Sequence, residues 1–128
     1  MGILKSATIG VTTTGSAGSG AGNADSETFA GEIVGIYVNH DANAPATTDI
    51  TIKDKRTGVT IWALNNSAAD VYVTPRAKAV DAANADMLSA ATNGLHPIPY
   101  VVDQGVNVAI AQGNSITNHV VVTVHYRK

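Results

Sequence analysis

Short runs in which apolar and polar residues alternate, each ended by Gly, Pro, Asn or Asp, recur along the whole chain. A period of two places every second side chain on one face of a strand, and breakers every eight to twelve residues predict an all-β sandwich or barrel. The clearest case is TDITIKDKRTGVTIW, residues 48–62. Ile50 and Ile52 alternate with Thr51 and Lys53, and Val59 and Ile61 alternate with Thr60 and Trp62. Residues 54–58 connect the two runs, and Gly58 supplies the positive φ that such a turn needs. One apolar face and one mostly polar face predict an antiparallel hairpin packed on one side.

The same reading extends to the rest of the chain. Residues 7–14, ATIGVTTT, are rich in β-branched side chains and predict a first strand. GSAGSGAGN, residues 15–23, predicts a loop or flexible tip. It lacks the Lys-Ser/Thr and the following helix that a phosphate-cradling loop requires. GEIVGIYVNH, residues 31–40, is apolar on both faces, with Ile33 and Tyr37 on one and Val34, Ile36 and Val38 on the other. Gly35 marks a bulge or a close backbone approach there. Residues 41–48 predict a loop. DVYVT, residues 70–74, predicts a short strand closed by Pro75. HPIPYVV, residues 96–102, predicts an extended edge segment. GVNVAIAQ, residues 105–112, and NHVVVTVHYRK, residues 118–128, alternate again. The last run sends Val120, Val122, Val124 and Tyr126 inward, and Val121, Thr123 and His125 outward.

This makes about eight short strands, so the expected fold is a single jelly-roll-like antiparallel β-sandwich over residues 1–128. Residues 1–6 form an N-terminal arm in this reading. Residues 75–95 form a long Ala-rich connection, with room for a short helix near 81–91. Long connections of this kind are usually functional, so an interface is expected there.

Composition narrows the function. At 128 residues the chain buries enough surface to need no metal or disulfide. It has no cysteine, which removes thiolate zinc sites and cysteine nucleophiles. Charged residues are only 14 %, and the net charge is −2. Nucleic-acid binding is not expected without a basic patch. Surface with so few charges suits contact with other proteins. No apolar run has the length of a membrane span. Gly2 and Ser6 match the short myristoylation pattern, which chance explains.

A search for chemistry finds no kit. Six residues of strand separate His119 and His125 by about 20 Å, too far for one metal. The four histidines read as solvated or loop residues. The nucleophile elbow Gly-x-Ser-x-Gly is missing around both Ser19 and Ser115. Asp25, Glu27, Glu32, Asp41, Asp49 and Asp54 read as solvated turn or strand-end residues. The pairs Asp41–Asn43 and Asp81–Asp86 lack the spacing and glycine of a calcium loop. The one tryptophan, Trp62, is expected to pack across the hairpin or beneath the Ala-rich segment. No catalytic, cofactor-binding or metal-binding residue is assigned, and no enzyme activity is expected.

The residue pattern resembles the head-decoration (auxiliary capsid or cement) proteins of tailed bacteriophages. The likeness rests on VTTT with a Gly-rich tip, GEIVGIYV, TDITI with the downstream TG and IW, YVTPRA, and PIPYVVDQGVNVAIAQGNS before a Val-rich last strand. It covers nearly the whole chain and contains no catalytic signature. The resemblance implies a jelly-roll-like sandwich and a homo-trimer. It implies a place on the outside of the head, where the trimer bridges major capsid protein subunits and stiffens the expanded shell. Synthesis in the bacterial host cytoplasm follows from that setting. The expected contact regions are the arm and the 75–95 connection. Their apolar candidates are Ile3, Leu4, Met87, Leu88 and Leu95. The alternatives are a carbohydrate-binding β-sandwich and a tail or neck component.

Overall fold

The computed structural model describes residues 3–78 and 97–128. In chain order the strands are β1 (Leu4–Val11), β2 (Gly20–Asp25), β3 (Gly31–His40), β4 (Asp49–Asp54), β5 (Thr60–Leu64), β6 (Val71–Val73), β7 (Arg76–Lys78), β8 (Pro97–Pro99), β9 (Val101–Val102), β10 (Val106–Gly113) and β11 (Val120–Arg127). One sheet has the order β1-β11-β3-β6, with β9 also on β3, and the other has the order β2-β10-β4-β5. All pairings are antiparallel. If the short β7, β8 and β9 are left out, the first sheet reads first-eighth-third-sixth in chain order and the second reads second-seventh-fourth-fifth. This is jelly-roll wiring. The expected sandwich of about eight strands is the fold observed.

The core lies between the inner faces. Ile9 and Val11 from β1, Ile36 and Val38 from β3, Ile50 and Ile52 from β4, Val106, Val108 and Ile110 from β10, and Val120, Val122 and Val124 from β11 are all buried. Strict alternation puts them there, and burying each such side chain contributes about 1.5–3 kcal/mol. Phe29 stacks on Tyr126 with ring centroids 4.1 Å apart and closes one end of the core. Trp62 is half-buried against the same core, as the packing reading expected.

Several local expectations are corrected. The first strand runs Leu4–Val11 rather than 7–14, because Thr13 leaves the sheet: its amide donates to the Ile116 carbonyl at 3.1 Å and its hydroxyl to the Asn114 carbonyl. The Gly-rich stretch is not wholly a tip. Only residues 15–19 turn, and Gly20–Asp25 is a paired strand. The glycines serve close approach rather than disorder: a Cβ on Gly22 would run into the Thr12 carbonyl oxygen, and one on Gly20 would lie 2.6 Å from the Asn114 carbonyl oxygen.

In β3 the pairing with β11 shifts between Ile33 and Gly35, so Val34 is the extra residue of a bulge. The bulge turns Ile33 into the core beside Ile36 and Val38, instead of onto the Tyr37 face. A second shift in the β4–β5 ladder, between Trp62 and Thr60, bulges at Ile61. Val59 falls outside the strand and is exposed, whereas the alternation had placed it on the apolar face with Ile61. Gly58 has φ 75°, and its amide donates to the Asp54 carbonyl at 2.9 Å, as the turn requires. The short helix considered near 81–91 lies outside the described residues.

Candidate functional site

The wiring gives the sandwich two unlike ends. At the first, the β1–β2, β3–β4, β5–β6 and β10–β11 connections converge. At the second lie Ile3, Lys128 and β9, which comes after the long connection.

The first end is closed by hydrogen bonds. The Gly18 amide donates to Asn114 Oδ1 at 3.0 Å, and the Asn118 amide to Thr12 Oγ1 at 3.2 Å. The Thr47 hydroxyl donates to the Gln112 carbonyl at 2.9 Å, and the Ser67 amide to the Thr48 carbonyl at 3.0 Å. The Asp49 carboxylate accepts from the Asn66 amide at 2.9 Å, and the Asp70 carboxylate from the His40 amide at 2.8 Å. Among the described residues, four of the five buried polar ones, Thr13, His40, Thr48 and His119, belong to this end.

His40 and His119 correct the reading of the histidines as solvated. Their residues are only 7 % and 0 % exposed. His119 precedes β11 and does not share an outward face with His125. Asn118, at φ 49°, redirects the chain, and the His119 ring falls against Gly113, where a Cβ would lie 2.7 Å from Nε2. His40 ends β3 opposite Val120, next to His119. None of the four ring nitrogens has a hydrogen-bond partner. Burial pushes both rings below the ordinary imidazole pKa. The Asp70 carboxylate and the Ala69 carbonyl pull the other way on His40, while His119 adds to the lowering. The His119 carbonyl and Asp41 oppose it on His119. One signal in the sequence points to this for His40, which keeps the parity of Ile36 and Val38 in its run.

At the second end, one transverse row on the outer face of the first sheet reads Leu4, Arg127, Glu32, Val101. It spans three strand spacings, about 14 Å. Leu4 is 60 % and Val101 69 % exposed. Arg127 and Glu32 pair between them at 3.9 Å. Ile3, 67 % exposed, continues from Leu4 and is held by two backbone hydrogen bonds with Lys128. Ile98, on β8, is also exposed. The β7–β8 ribbon runs between Val73, which pairs with Ile36 in the middle of β3, and Val101, which pairs with Glu32 at this end. The arm and β9 therefore share one end of the molecule. Met87, Leu88 and Leu95 lie outside the described residues. Ile98 and Val101 were missed because prolines on either side of Ile98 marked the segment only as an edge.

Of the carboxylates weighed for chemistry, Asp25, Glu32, Asp41, Asp49 and Asp54 hold backbone amides, Asn107 or basic side chains. Asp25 accepts from Asn107 Nδ2 at 2.9 Å and faces Lys55. Asp41 accepts from the Asn43 amide, and Asp54 from the Arg56 amide. Asp103 pairs with Arg56. Among the described residues, no three His, Asp or Glu side chains gather as a metal-binding group. Compared with protein-family models and with curated proteins, the chain finds no match.

Proposed function

We propose that the chain is a structural virion protein: a decoration or cement protein that binds the outside of a tailed-phage head and stabilises the expanded shell. The observation that carries this reading is the second end of the sandwich. There Leu4 and Val101 expose apolar side chains on either side of the Arg127–Glu32 ion pair, and Ile3, next to Leu4 in the chain, and Ile98, on β8, are exposed as well. Apolar side chains left in water at this end have a use when a partner covers them.

The mechanism is linkage. A trimer that touches several major capsid protein subunits makes its second and third contacts effectively intramolecular. A protein that binds only the expanded shell stabilises that state by mass action. The low charge keeps desolvation small at such a contact.

Quantitative mass spectrometry of purified virions tests the reading. Copy numbers comparable to those of the major capsid protein support it. A handful of copies per particle moves the protein to the tail or neck. Its absence from virions refutes a structural role and turns attention to carbohydrate arrays.

A further inference from the structure

We propose that the His40–His119 pair is an acid-operated latch, which holds the four converging connections closed when both rings are neutral and releases them when the rings take up protons. The geometry carries the argument. Both rings are buried where the connections meet, and no ring nitrogen makes a well-formed hydrogen bond, although the Ala69 carbonyl near His40 and the backbone of His119 itself favour the charged rings in part. A neutral imidazole tolerates such a site at a cost, whereas a charged one without a partner does not. Among the described residues, the titratable groups that face the rings are Asp70, from the β5–β6 connection, Asp41, at the end of β3, and the two rings themselves.

Each carboxylate offsets only part of the cost of a charged ring. Asp70 Oδ1 lies 3.9 Å from His40 Nδ1, beyond hydrogen-bond reach, and also accepts from the His40 amide. The Asp41 carboxylate accepts from the Asn43 amide and opposes burial least among the influences on His119. A second charged ring next to the first adds repulsion. The pair also joins elements directly: the Asp41 amide donates to the His119 carbonyl at 2.9 Å, so displacing either residue loosens the 41–48 and 114–119 connections together.

The sign follows from burial. Both groups hold fewer protons in the closed state than in an opened one, so closure is unaffected well above the free-imidazole pKa of about 6.5 and weakens as pH falls below it. Each proton taken up on opening costs about tenfold in the closing constant per pH unit, so the pair together costs up to about a hundredfold.

The test uses the full chain. Ring resonances of His40 and His119 are followed by NMR from pH 7.5 to 5. Backbone hydrogen exchange, corrected for intrinsic rates, is measured over the same range. The expected result is that both buried rings stay neutral while the chain is closed. Protection in 41–48, 65–70 and 114–119 then falls below pH 6.5 before Ile36, Val122 or Val124 loses any. H40Q and H119Q, which cannot take up the proton, flatten the pH dependence. If either variant fails to fold, the wild-type measurements still decide. Rings that titrate near 6.5 in the closed chain with no loss of protection overturn the latch. So does acid loosening of the core strands as early as the connections.

Discussion

Replacing Gly22 with Ala adds one methyl group at a place where there is no room for it. That methyl would run into the Thr12 carbonyl oxygen and lie 3.2 Å from its carbon and 3.3 Å from Thr13 Cα. All of these are backbone atoms, so the chain itself has to shift. At Gly20 the obstacle is also backbone, with Asn114 O at 2.6 Å and Asn114 C at 2.7 Å. Overpacking of this kind costs about 1–3 kcal/mol. The loss of a flexible glycine from the unfolded chain returns about 0.4–1 kcal/mol. The net expectation is about 1–2 kcal/mol of destabilisation for either variant. For a chain of this length that lowers Tm by roughly 4–8 °C. Gly35→Ala is the informative comparison. Its added methyl meets Tyr72, chiefly the ring tip, and Tyr72 is a 55 % exposed side chain that can swing away. That variant should lose less than about 1 kcal/mol. Urea unfolding followed by the fluorescence of the half-buried Trp62 ranks the three. If Gly20→Ala and Gly22→Ala prove neutral, or Gly35→Ala proves the worst, the close-approach account of the Gly-rich strand is wrong.

Other expectations follow from burial and partners. Ile36→Ala removes a fully buried side chain and should cost about 2–5 kcal/mol, whereas Val59→Ala, on an exposed turn, should stay within about 0.5 kcal/mol; thermal melts compare them. Asp70→Ala takes away the acceptor of the His40 amide and should cost about 1–2 kcal/mol in the same assay. Asp103→Asn breaks an exposed ion pair with Arg56 and should cost well under 1 kcal/mol, falling further in high salt. Leu4→Asp should weaken binding to expanded shells by about 5–30-fold per protomer, from about 1–2 kcal/mol of lost apolar burial, as read by co-sedimentation.

The sandwich was legible because its signal is local. Alternation in 49–54, 106–110 and 120–126 fixes both the strands and their inner faces, and those faces are the ones buried. What the alternation misplaced depends on contacts from elsewhere in the chain. The Gly-rich strand forms because two distant backbones, at Thr12 and Asn114, press against it, and composition alone reads such glycines as a tip. Two bulges, at Val34 and Ile61, reset which face follows, so Ile33 and Val59 landed where strict parity did not put them. His40 and His119 looked like loop residues because their burial arises only when four connections close over them. The arm residues Ile3 and Leu4 were legible as candidates. Their kinship with Val101 was not, since it runs through three strand pairings.

The two ends of the sandwich make separable demands on the sequence. The first end buries polar groups and so is tied to folding: each of Thr13, His40, Thr48 and His119 sits in a site that exists only when the connections are closed. The second end leaves Ile3, Leu4, Ile98 and Val101 in water, where they contribute little to folding. Changes at the first end should therefore shift stability and leave shell binding intact in chains that still fold. Changes at the second should do the reverse. Leu4→Asp and Asp70→Ala, each measured for both unfolding and co-sedimentation with expanded shells, form the cross. If Leu4→Asp destabilises the chain as much as Asp70→Ala while shell binding is unchanged, the exposed row belongs to the fold. The docking role then has to be sought elsewhere on the surface.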